Sequence, residues 1–491
     1  MEYTTPEKVG ISSKNIKKYI ESLEEAQLSM HDVIIYRKGK IVFEKYWAPF
    51  TSDFKHRMYS VTKSFVGLGI GFLEQDGLIS LDDKIGKYFP EEIKNQTDEN
   101  MKNQTIRHML MMSTAKPPQS WFNAKPEDRV ALYFENDSEV SRPSGTIFQY
   151  DSPGAFVLGA LIERVSGMEF VEYLQSKFMN KLGVAEDTYC LKCPGGHAWA
   201  DSALICRPVD LLKCAVFTMN KGRWNGEQLL NEEYVTAATS KQIDNNCLGD
   251  DELASQGYGY QFWRTYDNSF FFNGMGCQFA VCIPDKDMVF VCNADNQGKD
   301  FAKRVIIKGF FDMVARTAVD GELPEDKASY DELMEYTSEL KLMTAKGLKH
   351  IPLQDKINGV EYVLDKNPMG ITKMKFCFEG DKGTLYYTNA QGDKELSFGM
   401  GYNEAGEFPE DGYSDEMGTI PGNRRYDCVA SAAWHDEQNL FIKVQVIDTY
   451  FGNLNINIGF TPDGRFGMFM NKTAEGFLDK YQGFACAKPL V

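Results

Sequence analysis

The sequence lacks any apolar run long enough to cross a lipid bilayer, which takes about 20 mostly apolar residues in a helix. Its opening stretch, MEYTTPEKVGISSKNIKKYIE, also lacks the basic start and the apolar core of a secretory signal. It contains no internal repeat and no low-complexity tract. We therefore expect a globular, cytoplasmic protein with no membrane partner.

The sequence also has fewer positively charged than negatively charged residues. The 53 Lys and Arg residues are outnumbered by 70 Asp and Glu residues, which gives a formal net charge of -17 at pH 7. Such a charge disfavours binding to nucleic acid or to an anionic membrane surface, and we expect neither as a partner. The remaining composition, with 43% hydrophobic and 25% charged residues, is typical of a globular protein.

The arrangement of the cysteines argues against common metal sites. The 11 cysteines are odd in number and scattered through apolar runs, which is typical of buried, reduced thiols. Cys190 and Cys193 form a C-x-x-C pair, but no second pair follows at the spacing of a zinc site, so a redox or metal role is the less common alternative. The sequence predicts no metal and no cofactor.

Two familiar functional motifs are missing. No G-x-S-x-G marks the nucleophile elbow of a Ser-His-Asp hydrolase, and no G-x-x-x-x-G-K-[ST] predicts phosphate binding. Among the six histidines, His108 lies in an apolar helical run and is interpreted as structural. His197, in PGGHAWAD, could line a substrate pocket, although a simple polar contact is the more common role of a loop histidine. Five aromatic residues could also shape a pocket, although core packing is the more common role: Trp121, Phe122, Tyr258, Tyr260 and Trp263.

The chain of 491 residues is too long for one ordinary hydrophobic core, and its pattern changes along its length. Residues 1–323 run from strands through helices and back to strands, which predicts an α+β domain with an antiparallel sheet formed from both ends of the segment. Residues 324–350 are predicted to form a charged amphipathic helix or connector. Residues 351–491 consist of short alternating runs separated by Gly, Asp and Asn, which predicts a smaller, mostly antiparallel β domain.

Several elements of the first domain can be predicted individually. Apolar residues at helical spacing predict a helix over residues 12–27, and the next stretch predicts a β-hairpin that turns at residues 38–40. A further helix is predicted to begin near Ser60 and to end near Gly77. Helical patterns then dominate residues 105–240, and strand-like runs occupy residues 257–293.

The stretch MYSVTKSFVG places Ser60 three positions before Lys63. Residues three apart lie on one face of a helix, so the hydroxyl and the amine can share one small site. A lysine kept from water can lose its proton and act as a base at neutral pH. The alternative is a helix-capping serine beside a lysine that extends to solvent, and for an isolated S-x-x-K that alternative is the more common.

Two later stretches carry further candidates. In PSGTIFQYDSPGAFVLG, Tyr150 and Ser152 precede a helical pattern, although a turn with an anchoring tyrosine would look the same. In FFFNGMGCQFAVCIP, Gly274 and Gly276 interrupt two strands. Glycine permits close approach of the backbone to a ligand, although a bulge or a hairpin uses it too.

Taken together and in this order, the three stretches resemble the serine hydrolases of the class C β-lactamase type, which include DD-peptidases, esterases and 6-aminohexanoate-dimer hydrolases. The family pattern is S-x-x-K, then Y-x-N or Y-x-S, then a K-T-G, H-x-G or G-x-G strand. Between them, TIRHMLMMST and LIERVSG also resemble family segments. The resemblance covers about residues 5–315. It implies a β-lactamase/transpeptidase-like domain, in which an antiparallel sheet with helices adjoins an all-helical cluster.

The resemblance also implies a role for each candidate residue. Ser60 would be the nucleophile that forms an acyl-enzyme, Lys63 would help to remove its proton, and Tyr150 would relay that proton to the leaving group. Ser152 would contact substrate. The backbone N–H groups of Ser60 and Gly276 would form the oxyanion hole.

Two departures from the family pattern bear on the substrate. Ser152 stands where β-lactamases carry asparagine, and no lysine or histidine opens the third motif, so a partner for the β-lactam carboxylate is missing. The sequence therefore predicts a serine hydrolase of small esters or amides. A D-Ala peptidase or β-lactamase is the first alternative. A binding module that retains the fold is the second, although such a module need not keep Ser60, Lys63 and Tyr150 together. We expect a small ester, amide or peptide as the partner, and a homodimer is left open.

Overall fold

The computed structural model describes residues 1–116, 128–135, 138–248, 252–410, 425–474 and 481–490. The chain folds as two compact units. Among the described residues, the first unit contains Met1–Asn296 and Asp300–Leu340, and the second contains Gln297–Lys299 and those from Lys341 onward. The division at Lys341 falls inside the stretch 324–350 that the sequence assigns to a connector. No helix among the described residues is long and apolar enough to cross a membrane.

A seven-stranded sheet forms the centre of the first unit. Its strands pair antiparallel, except for a short first strand that is parallel to its neighbour. The central strands are buried along their whole length, as expected for a sheet covered on both faces. In spatial order the strands are Glu2–Tyr3, Lys40–Tyr46, Met30–Arg37, Met288–Ala294, Gln278–Ile283, Phe270–Gly274 and Trp263–Arg264.

Helices cover the two faces of this sheet. On one face, Phe290 packs against Tyr19 and Phe310, with ring centroids 5.9 and 4.4 Å away. Cys282 faces the opposite side, where its Sγ donates a hydrogen bond to the carbonyl oxygen of Ala215. The helices of the first face are Ser13–Glu25, Ala302–Phe310 and the π-helical turn Phe311–Ala315 that continues the latter.

The opposite face carries the helical cluster. Its members lie between the two groups of strands in the sequence, as the order strands, helices, strands predicts. They are Thr62–Gln75, Pro90–Ile93, Glu99–Lys102, Ile106–Leu110, Arg129–Phe134, Ser152–Ser166, Phe170–Leu174, the π-helical turn Gln175–Met179, Asn180–Leu182, Pro208–Met219 and Glu232–Thr239. The described part of the first unit also contains the helix Lys327–Tyr336 and the short strands His56–Arg57, Tyr189–Cys190, Leu204–Cys206, Arg223–Trp224 and Glu227–Gln228.

Most of the individual predictions for this unit are confirmed. The first predicted helix is Ser13–Glu25, and the predicted hairpin joins Met30–Arg37 to Lys40–Tyr46. One prediction is largely wrong: the run YGYQFWRTY contributes only the two-residue strand Trp263–Arg264. The backbone adopts left-handed angles at Gly257 (φ +109°) and Gln261 (φ +68°), which interrupt an extended chain.

The prediction of buried thiols is only partly confirmed. All eleven cysteines are free, and seven of them are buried: Cys193, Cys206, Cys214, Cys277, Cys282, Cys292 and Cys428. Cys247 and Cys486 are exposed, which corrects the prediction at these two positions. Cys247 follows polar residues in the sequence, whereas Cys486 lies on the exposed face of the strand Gly483–Pro489, whose residues alternate in burial.

The second unit is built on a ten-stranded sheet. Neighbouring strands pair antiparallel, except that Gly392–Met400 and Asp427–Trp434 pair in parallel. The first and last strands also pair, with Tyr362 opposite Pro489, so the sheet closes on itself. The strands are Glu361–Leu364, Lys373–Glu379, Lys382–Asn389, Gly392–Met400, Glu404–Glu407, Asp427–Trp434, Asn439–Ile447, Phe451–Phe460, Phe466–Ala474 and Gly483–Pro489.

Alternating burial along these strands creates an apolar interior. Lys373–Glu379 alternates between exposed or half-buried and fully buried residues, as its sequence TKMKFCFEG predicts. Tyr362, Phe376 and Phe466 pack together inside, with ring centroids 4.9 to 6.4 Å apart. The fold class predicted from the sequence is confirmed: an α+β unit with a mostly antiparallel sheet is followed by a smaller, mostly antiparallel β unit. The helix Pro352–Ile357, which precedes these strands, was not predicted.

Candidate active site

Ser60 lies in a tight turn, the serine turn Tyr59–Val61, which leads directly into the helix Thr62–Gln75. The backbone of Tyr59 is left-handed, with φ +46°, a conformation that costs free energy for a residue with a side chain. The turn is held from outside: the Met58 N–H donates to the carbonyl oxygen of Leu204 at 2.8 Å, and the Arg57 guanidinium stacks 4.3 Å from the Tyr59 ring. Ser60 is therefore held half-buried at the entrance of a helix rather than inside it.

Lys63 contacts Ser60, as the i, i+3 spacing predicts. Its Nζ lies 2.9 Å from Ser60 Oγ, and it also donates to the carbonyl oxygen of Asp201 at 2.7 Å. Lys63 is only 2% exposed, so its amine is held by these partners rather than by bulk water. The alternative of a lysine that extends to solvent is wrong.

Tyr150 approaches the same amine from a third segment of the chain. Lys63 Nζ lies 5.2 Å from the centre of the Tyr150 ring, which stacks on Trp263 at 5.7 Å. Asp151 then caps the helix Ser152–Ser166, because its carboxylate accepts a hydrogen bond from the Gly154 N–H at 2.9 Å. Ser152 is the half-buried first residue of that helix. The structure thus brings Ser60, Lys63 and Tyr150 together, while their catalytic roles stay predictions.

Two buried carboxylates lie near Lys63, and sequence reasoning missed both. Asp151 and Asp201 are 2% and 1% exposed. Burial raises the pKa of Asp151 to about 6, opposed by the hydrogen bond from the Gly154 N–H and by the charge of Lys63. Burial also raises the pKa of Asp201, again opposed by Lys63, whose Nζ is 3.7 Å from its Oδ2. Asp151 could have been found from the sequence, because it lies between Tyr150 and Ser152, whereas Asp201 belongs to no motif.

The raised pKa of Asp151 predicts a pH-dependent gain of stability in Asp151→Asn. The folded state binds a proton on the Asp151 carboxylate more tightly than the unfolded state does. The bound proton therefore stabilises the folded protein fully below the usual pKa of an aspartate, and this stabilisation is lost as pH rises through about 6. Asparagine retains the helix cap but carries no charge. Relative to wild type, the free energy of unfolding of the variant should therefore rise by up to about 3 kcal/mol between pH 4 and pH 8.

Urea unfolding of both proteins at several pH values measures this difference. Asp151→Ala is the matched variant, because it removes the charge and the cap together and should be less stable than Asp151→Asn by about 1 kcal/mol at every pH. A stability difference between wild type and Asp151→Asn that does not change with pH would show that Asp151 has an ordinary pKa.

The glycine-containing hairpin lies beside the serine turn, but Gly274 rather than Gly276 makes the close approach. A Cβ atom at Gly274 would lie 2.5 Å from the carbonyl oxygen of Met58, so no larger residue fits. Gly276 has φ +76°, in the turn that follows the strand, and its carbonyl oxygen accepts a hydrogen bond from the Asn296 N–H. A Cβ there would meet Gln278 first. The role of Gly276 in the oxyanion hole stays a prediction.

The two histidines considered from the sequence have structural partners. His197 Nδ1 lies 2.6 Å from Glu163 Oε2. His108 Nδ1 lies 2.8 Å from Ser144 Oγ, and burial lowers the pKa of His108. These contacts confirm the structural interpretation of His108, and they give His197 the polar contact that was the alternative to a pocket role.

The aromatic candidates have different locations. Tyr258 packs edge-on against Trp263, with ring centroids 5.1 Å apart, and so supports the ring that stacks on the catalytic tyrosine candidate. Tyr260 is also buried. Trp121 and Phe122 lie outside the described residues.

Comparison with known families and structures supports the architecture. The family model described as Beta-lactamase matches residues 17–306, which include all five predicted site residues and more than half of the chain. The chain is 24% identical over 260 residues to 6-aminohexanoate-dimer hydrolase of Paenarthrobacter ureafaciens, a match that covers 50% of this chain and 66% of that protein. It is 24% identical over 196 residues to Protein flp of Staphylococcus aureus strain N315, covering 36% and 38%. The chain thus spans less than two thirds of the length of these relatives.

Two solved structures have a similar fold. The octameric penicillin-binding protein homologue from Pyrococcus abyssi aligns with a TM-score of 0.51 and 17% identity, over 97% of this chain and 99% of that chain. A Bacillus anthracis protein provisionally named as a 6-aminohexanoate-dimer hydrolase aligns with a TM-score of 0.54 and 18% identity, over 66% and 89%. The first alignment extends through both units, whereas the second covers about as much of the chain as the first unit.

Proposed function

This chain belongs to the beta-lactamase family, and on that premise we propose that it is a serine hydrolase that cleaves a small ester or amide through an acyl-enzyme on Ser60. The observation that carries the proposal is the 2.9 Å contact between Lys63 Nζ and Ser60 Oγ. A nucleophile within hydrogen-bond reach of a base, with that base held by further partners, is the arrangement that activates a hydroxyl group.

In the proposed mechanism, Ser60 Oγ attacks the substrate carbonyl carbon while its proton passes to the neutral amine of Lys63. Tyr150, whose ring lies beside that amine, helps to pass the proton to the leaving alcohol or amine. Backbone N–H groups of the serine turn and of the adjacent glycine-containing hairpin stabilise the negative charge on the carbonyl oxygen. Water then hydrolyses the acyl-enzyme by the same proton transfers in reverse.

The substrate class is inferred from the residues around this centre. Ser152 stands two positions after Tyr150, where β-lactamases carry asparagine, and the Asn273-Gly-Met-Gly276 segment carries no cation to bind a carboxylate. A relative named as a 6-aminohexanoate-dimer hydrolase supports an amide, and the proposed chemistry serves an ester equally well. We therefore propose short acyl esters and small amides ahead of β-lactams.

A comparison of two chromogenic substrates tests this choice. We expect kcat/KM for p-nitrophenyl butyrate to exceed that for nitrocefin by about tenfold or more, since one missing charge-assisted contact is worth at least that factor. Ser60→Ala provides the background rate for each substrate.

A higher kcat/KM for nitrocefin would contradict the proposed substrate class. It would also require a cation elsewhere, and the candidate would be Lys303, whose Nζ lies 5.8 Å from the centre of the Trp263 ring.

A further inference from the structure

We infer that the carboxylate of Asp201 is a positioning residue for the reaction, which holds Lys63 against Ser60 and stabilises the ammonium ion that forms when Lys63 takes the proton of Ser60. The inference rests on the proposed function. It concerns the side chain of Asp201, and not only the main-chain oxygen that accepts a hydrogen bond from Lys63.

The position of Asp201 supports this role. Its Oδ2 lies 3.7 Å from Lys63 Nζ, and its carbonyl oxygen lies 2.7 Å from the same atom. One residue therefore contacts the amine twice, once through its backbone and once through its charge. The side chain is 1% exposed, so the charge acts through a medium that screens it far less than water does.

The buried carboxylate of Asp201 has few polar partners. Neither carboxylate oxygen of Asp201 accepts a hydrogen bond from another of the described residues. Asp210 shows the contrast, since its equally buried carboxylate accepts from the Ala185 N–H and pairs with Lys213 at 2.9 Å. Burial of a charge without such partners costs several kcal/mol, which makes a purely structural role for the Asp201 carboxylate costly.

The charged groups around Asp201 show which cation its carboxylate acts on. Among the described residues, seven titratable or charged side chains act on its carboxylate or surround the Lys63 amine, counting Lys63 itself: Lys63, Tyr150, Arg57, Arg129, Asp151, Cys190 and Cys193. Arg57 is occupied elsewhere, because it donates to the carbonyl oxygen of Ser202 at 3.0 Å and stacks 4.5 Å from the Trp199 ring. Lys63 is the cation for which the structure gives a direct approach to Asp201.

The proton balance of the step defines what Asp201 contributes. The O–H bond of Ser60 breaks, an N–H bond forms on Lys63, and the oxygen electron pair forms the bond to the carbonyl carbon. The charge of the Asp201 carboxylate, whose Oδ2 lies 3.7 Å from Lys63 Nζ, favours the ammonium form that the transfer produces over the neutral amine. The carboxylate therefore lowers the barrier of the transfer, and its loss should also change how the rate depends on pH.

Asp201→Asn tests both consequences, because the amide keeps the size of the side chain and removes its charge. The assay is the second-order rate of labelling by a fluorophosphonate ester, followed by intact mass between pH 5 and pH 10. We expect the acidic limb of the profile to move to lower pH by about one to three units. We also expect the plateau rate to fall by about 10²-fold. Asp210→Asn is the matched control and should leave the acidic limb in place.

The possible outcomes separate this inference from the proposed function. A profile that coincides with that of wild type, or a uniform loss of rate with an unmoved acidic limb, would overturn the role of Asp201. If Asp201→Asn does not fold, judged by circular dichroism, Asp201→Ala is measured in the same way and must show the same displacement. Label attached to a residue other than Ser60 would instead overturn the proposed function, whatever the profile.

Discussion

Ser60→Ala is expected to lower kcat/KM for p-nitrophenyl butyrate by about 10⁵-fold or more and to abolish labelling by a fluorophosphonate. Loss of the attacking atom removes the covalent pathway altogether, and in serine hydrolases such losses are among the largest that one residue produces. The fold should survive, because Ser60 is half-buried and its hydroxyl contacts Lys63 rather than the hydrophobic core.

Ser64→Ala is the matched control for this result. Ser64 lies on the helix that follows the serine turn, and its hydroxyl donates to the carbonyl oxygen of Gln261 at 2.7 Å. Its loss should lower the free energy of unfolding by about 1 kcal/mol and leave the labelling rate near that of wild type. Turnover that survives in Ser60→Ala would require a different nucleophile.

Lys63→Arg is expected to lower kcat/KM by about 10³-fold or more at every pH from 6 to 9. Arginine preserves the positive charge but does not give up its proton in this range, so it can hold Ser60 without accepting the proton of Ser60. This loss of kcat/KM is near the largest that removal of a general base causes, because Lys63 and Ser60 act as one unit in the reaction.

The rates of ester hydrolysis and of labelling measure the effect, with circular dichroism as the check on folding. Lys55→Arg is the control, since Lys55 forms a partly exposed ion pair with Asp187 at 3.1 Å. It should behave as wild type. Near-normal turnover in Lys63→Arg would make Lys63 an electrostatic support and would assign the base to another group.

The contacts that depend on local spacing were predictable from the sequence. Ser60 and Lys63 are three residues apart at the start of a helix, and helical geometry alone brings them to one face. The same reasoning gives the helix Ser13–Glu25 from its apolar spacing, and the hairpin from the turn at Lys38 and Gly39. In the second unit, period-2 alternation gives strands such as Lys373–Glu379.

The contacts that depend on tertiary packing were not predictable in this way. Asp201 meets Lys63 across 138 positions of sequence, and no motif marks it. The choice between Gly274 and Gly276 depends on where the strand ends and the hairpin turns, which a G-x-G pattern leaves open. The closure of the second sheet, with Tyr362 opposite Pro489, likewise depends on pairing between the first and last strands. The side-chain pattern predicts a strand, but it does not predict which strand pairs with it.

We propose that Ser60 is the nucleophile of a working hydrolase, and peptide mapping by mass spectrometry after fluorophosphonate labelling tests this proposal. We expect one adduct per chain, located on Ser60, and we expect hydrolysis of p-nitrophenyl butyrate to fall in proportion to the fraction of Ser60 labelled. An adduct on another residue, or hydrolysis that continues when Ser60 is fully labelled, would contradict it. Absence of both labelling and hydrolysis in the folded protein would contradict it too and would favour a binding module that retains the fold.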